Sequence, residues 1–148
     1  MTLNQMIARI EAKSLAHLQV RNFYFGKATD FLTDKTTLFA SVFLQDNGGV
    51  ISLSGKEYSV SFRMFFLDLV NVAANAKENE LEVQSDMLSV AKGILAAMNS
   101  GEYTDWAISN SNNFQLVEEE FDDMVAGVVV DITIRTPSDD GYCEEPIL

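Results

Sequence analysis

The chain has one cysteine, one tryptophan, one histidine and two prolines among 148 residues. A lone thiol, Cys143, excludes an internal disulfide and fits a reducing compartment, or an assembly built inside a cell. One histidine and one cysteine give no ligand spacing for zinc, and no serine stands in a nucleophile-elbow pattern. Bases are scarce: 10 Lys and Arg face 22 Asp and Glu, a formal charge of −12. Tight binding of nucleic acid needs clustered Lys and Arg, so this balance argues against it. It leaves room for a basic protein partner, or for a surface along which DNA passes without sticking. No apolar run approaches the ~18 residues of a membrane span. The opening "MTLNQMIARIEAK" lacks the basic start, apolar block and cleavage site of a secretory signal.

What is present is an ordinary core composition, 47% hydrophobic and 22% charged. A chain of this length is expected to form one domain, 1–148, with a core that needs neither metal nor disulfide. The charge is divided unevenly. Residues 1–74 hold seven basic and six acidic side chains, a formal +1, while residues 75–148 hold three and sixteen, a formal −13.

Periodicity supplies the elements. "TLNQMIARIEAKSLAHL" reads as an N-terminal helix, with Leu3, Met6, Ile7 and Ile10 at helical spacing and Thr2 or Asn4 as cap. "VRNFYFG" reads as a short extended segment and "KATDFLTDKT" as a polar loop. In "TLFASVFLQDNGGVISLSG" two strand-like runs meet at Asn47-Gly48-Gly49, which predicts a hairpin turn there. "KEYSVSFRMFFLDLV" reads as a strand with Tyr58, Val60, Phe62 and Met64 on one face. After Met64 both faces are apolar. "NELEVQSDMLSVAKGILAAMNSG" is the strongest helix, with Asn79 and Glu82 as a capping box and Gly101 as its stop. Its stripe of Val83, Met87, Val90, Ile94 and Ala97, widened by Leu81, Leu88, Leu95 and Met98, suits a sheet. Leu88, Ile94 and Leu95 are expected against Val60, Phe62, Val130 and Ile132. "EYTDWAISNSNN" reads as a loop. "FQLVEEEF" and "GVVVDITIR" read as two strands turning at "DDMVA", with Val128, Val130, Ile132 and Ile134 on one face. The expected class is α+β: a mostly antiparallel sheet with a long helix on one face and an N-terminal helix.

No constellation points to chemistry. Five of the six residues from Glu118 to Asp123 are acidic, but "EEEFDDMVAG" lacks the oxygen-ligand spacing of a calcium loop. The run reads as a solvated or interface-facing strand edge, guarded against mispairing by its charge. His17 reads as structural and Cys143 as a passive surface thiol. Gly48-Gly49 is too short for a phosphate cradle. The many phenylalanines lack interleaved bases, so they read as core rather than as a stacking platform. No catalytic, cofactor or metal residue is expected. The apolar second face at Phe65, Leu67 and Leu69, with Phe121 paired to Val129, exceeds what a two-layer domain must bury, which marks contact with other chains. Candidate interface residues are therefore Glu118, Glu119, Glu120, Asp122, Asp123, Phe65 and Leu67.

Four stretches together carry a resemblance: "VRNFYFGKATDF" (20–31), "SFRMFFLDLV" (61–70), "ELEVQSDMLSVAKGILAAM" (80–98) and "FDDMVAGVVVDITIRTPSDDGYCEEP" (121–146). In order and spacing they resemble the tail-completion, or tail-terminator-like, neck proteins of tailed bacteriophages, crAss-like phages in particular. The resemblance implies a non-catalytic virion protein, assembled in the host cytoplasm. It implies a homo-oligomeric ring between portal and tail, touching other neck, portal or tail proteins, with DNA passing by unbound and no membrane involved. The alternative is a soluble, non-catalytic α+β domain that binds a small molecule or another protein.

Overall fold

The computed structural model describes residues 1–26, 40–69, 76–99, 104–109, 111–117 and 125–137. The first element, α1 (Leu3–Leu15), begins as its sequence demands. The Thr2 hydroxyl accepts the Gln5 N–H, and the Gln5 side chain accepts the Thr2 N–H, a reciprocal capping box. Its buried residues Met6, Ile10 and Ser14 lie on one side of the helix. Six strands follow: β1 (Asn22–Phe25), β2 (Ser41–Ser52), β3 (Glu57–Leu69), β4 (Ala107–Ile108), β5 (Phe114–Val117) and β6 (Val125–Pro137). The second helix, α2 (Ala76–Met98), lies between β3 and β4 in sequence.

The class is α+β, as expected, but the sheet is mixed rather than mostly antiparallel. Its order is β1-β2-β3-β6-β4, with β5 also on β6. β1 runs parallel to β2, Asn22 opposite Ser41 through Phe25 opposite Leu44. Parallel neighbours need a crossover connection rather than a turn. The residues that connect these two, including the expected polar loop, lie outside the described residues. The remaining pairings are antiparallel.

The central pair is β3 with β6, thirteen residues each, from Glu57 opposite Pro137 to Leu69 opposite Val125. Alternation along both strands sends Phe62, Met64, Phe66, Val128, Val130, Ile132 and Ile134 to one face, where all are buried. Met87, Val90, Ala91, Ile94 and Met98 of α2, with Met6 and Ile10 of α1, close over that face. Leu88, Leu95 and Val60 pack against the same core half-buried, so the expected helix-on-sheet contact is present. The stripe of α2 is narrower than its sequence implies: Leu81 is exposed, and Val83 and Ala97 are half-buried. The helix starts at Ala76, upstream of the expected cap at Asn79, because Ala76, Lys77 and Glu78 are themselves good helix formers. Gly101, its expected stop, lies outside the described residues.

The hairpin turn expected at Asn47-Gly48-Gly49 is not a turn. Asp46 pairs with Phe62 and Gly49 with Val60, so β2 holds one extra residue there, a β-bulge inside a continuing strand. The Asp46 carboxylate accepts the Gly48 N–H at 2.8 Å, and Gly48 has φ +78°. A Cβ at Gly49 would fall 2.0 Å from the Ser59 carbonyl oxygen. Residues that tolerate a tight turn also tolerate a bulge, and the strand pairing on both sides decides for the bulge. The chain reverses later, between Ser52 and Glu57. There Ser52 Oγ accepts the Gly55 N–H at 3.2 Å, and Lys56 takes φ +51°. The β2–β3 hairpin is thus longer than expected and carries its tip at residues 53–56.

Two substitutions test this packing. Ile94 is buried and Leu95 half-buried, so Ile94→Ala should cost about 2–5 kcal/mol and Leu95→Ala less, read from urea unfolding midpoints at constant slope. A Cβ at Gly127 would fall 1.8 Å from the Phe66 carbonyl oxygen, a backbone atom that cannot turn away. Gly127→Ala should therefore force β3 and β6 apart locally and lower the unfolding midpoint well below the wild type. A neutral Gly127→Ala would show that the two strands do not approach this closely.

Candidate interaction surface

Several charged and polar side chains of the described residues hold elements together. Arg9 of α1 grips Asp105 through two parallel bonds of 2.7 and 3.0 Å, and its guanidinium lies 4.8 Å from the centre of the Trp106 ring. The Trp106 indole N–H donates to the Met98 carbonyl at the end of α2 at 3.1 Å, and the Thr136 hydroxyl donates to the Asp105 carbonyl at 2.8 Å. One short segment thereby joins α1, α2 and β6. The arginine fork also holds the Asp105 carboxyl below its ordinary value, chiefly by hydrogen bonding; desolvation opposes this, and the Arg9 charge adds to it. On α2, the buried Gln84 amide donates to the Val117 carbonyl at 3.0 Å and ties the helix to β5.

His17, the only histidine, is half-buried. Its Nδ1 accepts the Gln19 N–H at 3.2 Å, and its ring faces Gly93 of α2. Among the described residues three buried polar atoms accept or donate no hydrogen bond: Ser14 Oγ, Ser41 Oγ and Asn112 Oδ1. They sit on α1, on β2 and before β5, so they form no common site. Among the described residues no group of three or more His, Cys, Asp or Glu side chains is close enough to hold a metal ion. The acids Glu118, Glu119, Glu120, Asp122 and Asp123 lie outside the described residues, as do Phe121 and Cys143.

The second face of the sheet is graded along its length. At one end Phe43, Leu67, Val117 and Val125 form a small buried cluster, against which Tyr24, Phe65 and Val129 pack half-buried. Tyr24 and Phe65 both lie tilted on Phe43, with ring centres 5.9 and 5.6 Å away. Toward the hairpin tip the same face is polar. Arg63 bonds Asp131 across the strands at 2.9 Å, and the Ser61 and Thr133 hydroxyls meet at 3.2 Å. Of the expected interface residues on this face, then, Leu67 is buried by its own chain and Phe65 only half-buried. Leu69 is exposed, and Val129 stands opposite Gln115 and Phe65.

Apolar exposure is concentrated elsewhere. Val50, Ile51 and Leu53, at the end of the β2–β3 hairpin, are 66, 77 and 87% exposed. Phe114 and Leu116 on β5 are 51 and 49% exposed. Beside β5, a groove of about 290 Å³ runs between it and α2, walled by Leu88, Ala91, Leu95 and Phe114, floored by Val130 and edged by Lys92 and Asn112. A second concavity, about 420 Å³ beside Leu18, Arg21, Asp68 and Asp86, is polar instead. A third, about 230 Å³, includes the Arg63–Asp131 pair. Of these three, the α2–β5 groove alone joins apolar walls to apolar neighbours. Residues 50–53 escape a reading by alternation because the bulge displaces the turn. Once the tip is set at 53–56, the run "GVIS" is visibly an apolar arm. No protein-family model matches the chain, and no curated protein matches it significantly.

The Arg9–Asp105 clamp has a pH signature. A carboxyl held below its ordinary value of 3.8 contributes stability in full above that value, and the contribution is lost as pH falls through the lowered one. The difference in urea midpoint between wild type and Asp105→Asn should be constant at neutral and mildly acidic pH. It should shrink toward zero as pH drops below 3.8. A difference independent of pH would mean that charge plays no part in the clamp.

Proposed function

We propose that this chain is a structural ring protein of a tailed-phage neck, standing between portal and tail around the DNA channel, without catalytic chemistry of its own. The observation that carries the reading is the presence of two separate exposed apolar surfaces on one small chain, the hairpin tip and the α2–β5 groove. One such surface suits a single partner or a symmetric dimer. Two, on different elements and facing different ways along the sheet, suit a subunit with neighbours on both sides. The resemblance of the stretches on β3, α2 and β6 to tail-completion proteins supplies the context. The acidic C-terminal half suits either a wall that DNA slides past or a contact with a basic ring neighbour. The neighbour is the better reading, since the tip of a hairpin more often meets a partner than lines a lumen.

Size-exclusion chromatography with light scattering, alone and with candidate portal and tail proteins, is the direct test. The expected mass is a multiple of 16.4 kDa. A chain that stays monomeric alone and with every neck partner overturns the reading and favours a small binding domain. Replacing Glu118, Glu119, Glu120, Asp122 and Asp123 by Gln or Asn should weaken assembly with its partners, and added salt should weaken the wild-type complex likewise. If assembly stays intact and DNA retention or ejection changes instead, the acids face the channel.

A further inference from the structure

We infer that the tip of the β2–β3 hairpin of one copy seats in the α2–β5 groove of the next, so that successive copies join head to tail. The inference rests on the ring reading above and names the contact that would build the ring.

The tip is an arm with apolar side chains on both of its sides. Val50 and Ile51 are neighbours on a strand and point to opposite faces, and Leu53 stands at the turn. An arm left in water needs no such residues, and an arm packed on its own sheet needs them on one side only. Apolar groups on both sides suit insertion between two walls. The groove offers two walls, Leu88 and Leu95 of α2 on one side and Phe114 of β5 on the other, with Val130 below. At roughly 30 Å³ for a water-sized group, its volume of about 290 Å³ takes two or three aliphatic side chains.

The arm cannot reach its own groove. Val130, on the groove floor, pairs with Met64, and the hairpin closes at the Ser52–Glu57 pair, seven residues further along β3. At roughly 3.3 Å per residue this places the tip about 23 Å from the groove along a continuous strand. The occupant therefore comes from another copy. Because tip and groove are different surfaces, one copy offers its tip to the next and receives a tip from the one before. Such a contact closes into a ring or grows without end, according to its rotation.

The tip carries Lys56 and Glu57, of opposite sign, and the groove edge carries Lys92, so apolar groups rather than net charge govern the contact.

The test is complementation between two blocked variants. Leu53→Asp damages the tip and keeps the groove; Phe114→Asp damages the groove and keeps the tip. Both positions are exposed, and circular dichroism with urea midpoints establishes that each variant folds like the wild type. Light scattering across a concentration series should show the wild type as an oligomer and each variant alone as a monomer. The two variants mixed should give a one-to-one dimer that grows no further, since only one intact tip and one intact groove remain. As a second measurement, Leu53→Cys and Leu88→Cys copies in a Cys143→Ser background should form a bismaleimide-linked dimer when mixed, and not when either is treated alone. An oligomer that persists in both variants, or cross-linking of either cysteine copy to itself alone, overturns the tip-in-groove contact and leaves the ring reading standing. A wild type that is monomeric at every concentration, alone and with neck partners, overturns both.

Discussion

The pairing of β3 with β6 is the constraint on which the rest of the molecule depends. Thirteen residues stand opposite thirteen without a slip, and every position in that register assigns two side chains to a face. A shift by one residue would turn Phe62, Met64 and Phe66 away from α2 and bring Arg63 beneath it. Two polar pairs on the far face mark the register. Arg63 meets Asp131, and Ser61 meets Thr133, only when Phe62 lies opposite Ile132. The exposed ion pair adds little stability by itself. Its value here is specificity, because a slip of one or two residues in either direction leaves the arginine opposite an aliphatic chain or Thr133.

From that pair the remaining elements are placed by what is left unsatisfied. β2 adds to β3 on one side; β4 and β5 share the open edge of β6 on the other. The backbone bonds from Ser109 to Thr133 and from Asp131 to Asn113 bridge the interval between β4 and β5. Neither helix covers the end of the hairpin, so the arm projects with its apolar side chains in water. On the opposite edge β5 lies beside α2 without closing against it, and Phe114 stays half in solvent. Exposed arm and open groove thus have one origin, a sheet longer and wider than the helices that cover it.

How much of this is legible from the residues alone depends on whether the signal is local. The cap of α1 is local: Thr2 and Gln5 stand three apart and bond each other. The alternation of β3 and of Val128 through Ile134 is local too, and both faces are assigned correctly. The hairpin turn is not. Asp46 through Gly49 carries the chemistry of a turn, and only the pairing of Val50 through Ser52 with β3 converts it to a bulge. The parallel β1–β2 pair has no local signature, since four residues of either orientation look alike. Trp106 is similar: it sits in a stretch that reads as a loop, yet it is buried, because its partners Arg9 and Met98 come from distant elements. The interface reading suffers in the same way. Phe65 and Leu67 are surplus on a two-layer count, but Phe43 and Val125 reach them across the sheet and absorb most of that surplus. Among the apolar side chains that stay in water, Val50, Ile51 and Leu53 lie on the arm, where a misplaced turn conceals them.

An acidic chain that assembles with itself faces a repulsion that apolar burial has to overcome at close range. Copies carrying −12 each repel over roughly 8 Å at physiological salt. A symmetric contact through the acidic half would bring that charge against its own image and concentrate the repulsion at the interface. A contact between unlike surfaces avoids the coincidence. In the proposed contact Val50, Ile51 and Leu53 of one copy would meet Leu88, Leu95 and Phe114 of another, apolar on both sides. Lys56 and Glu57 of the tip would come near Lys92 of the groove, and burial of aliphatic surface would have to outweigh what charge remains there. The two apolar surfaces would then follow from one arrangement, in which each copy is asymmetric so that the assembly can repeat.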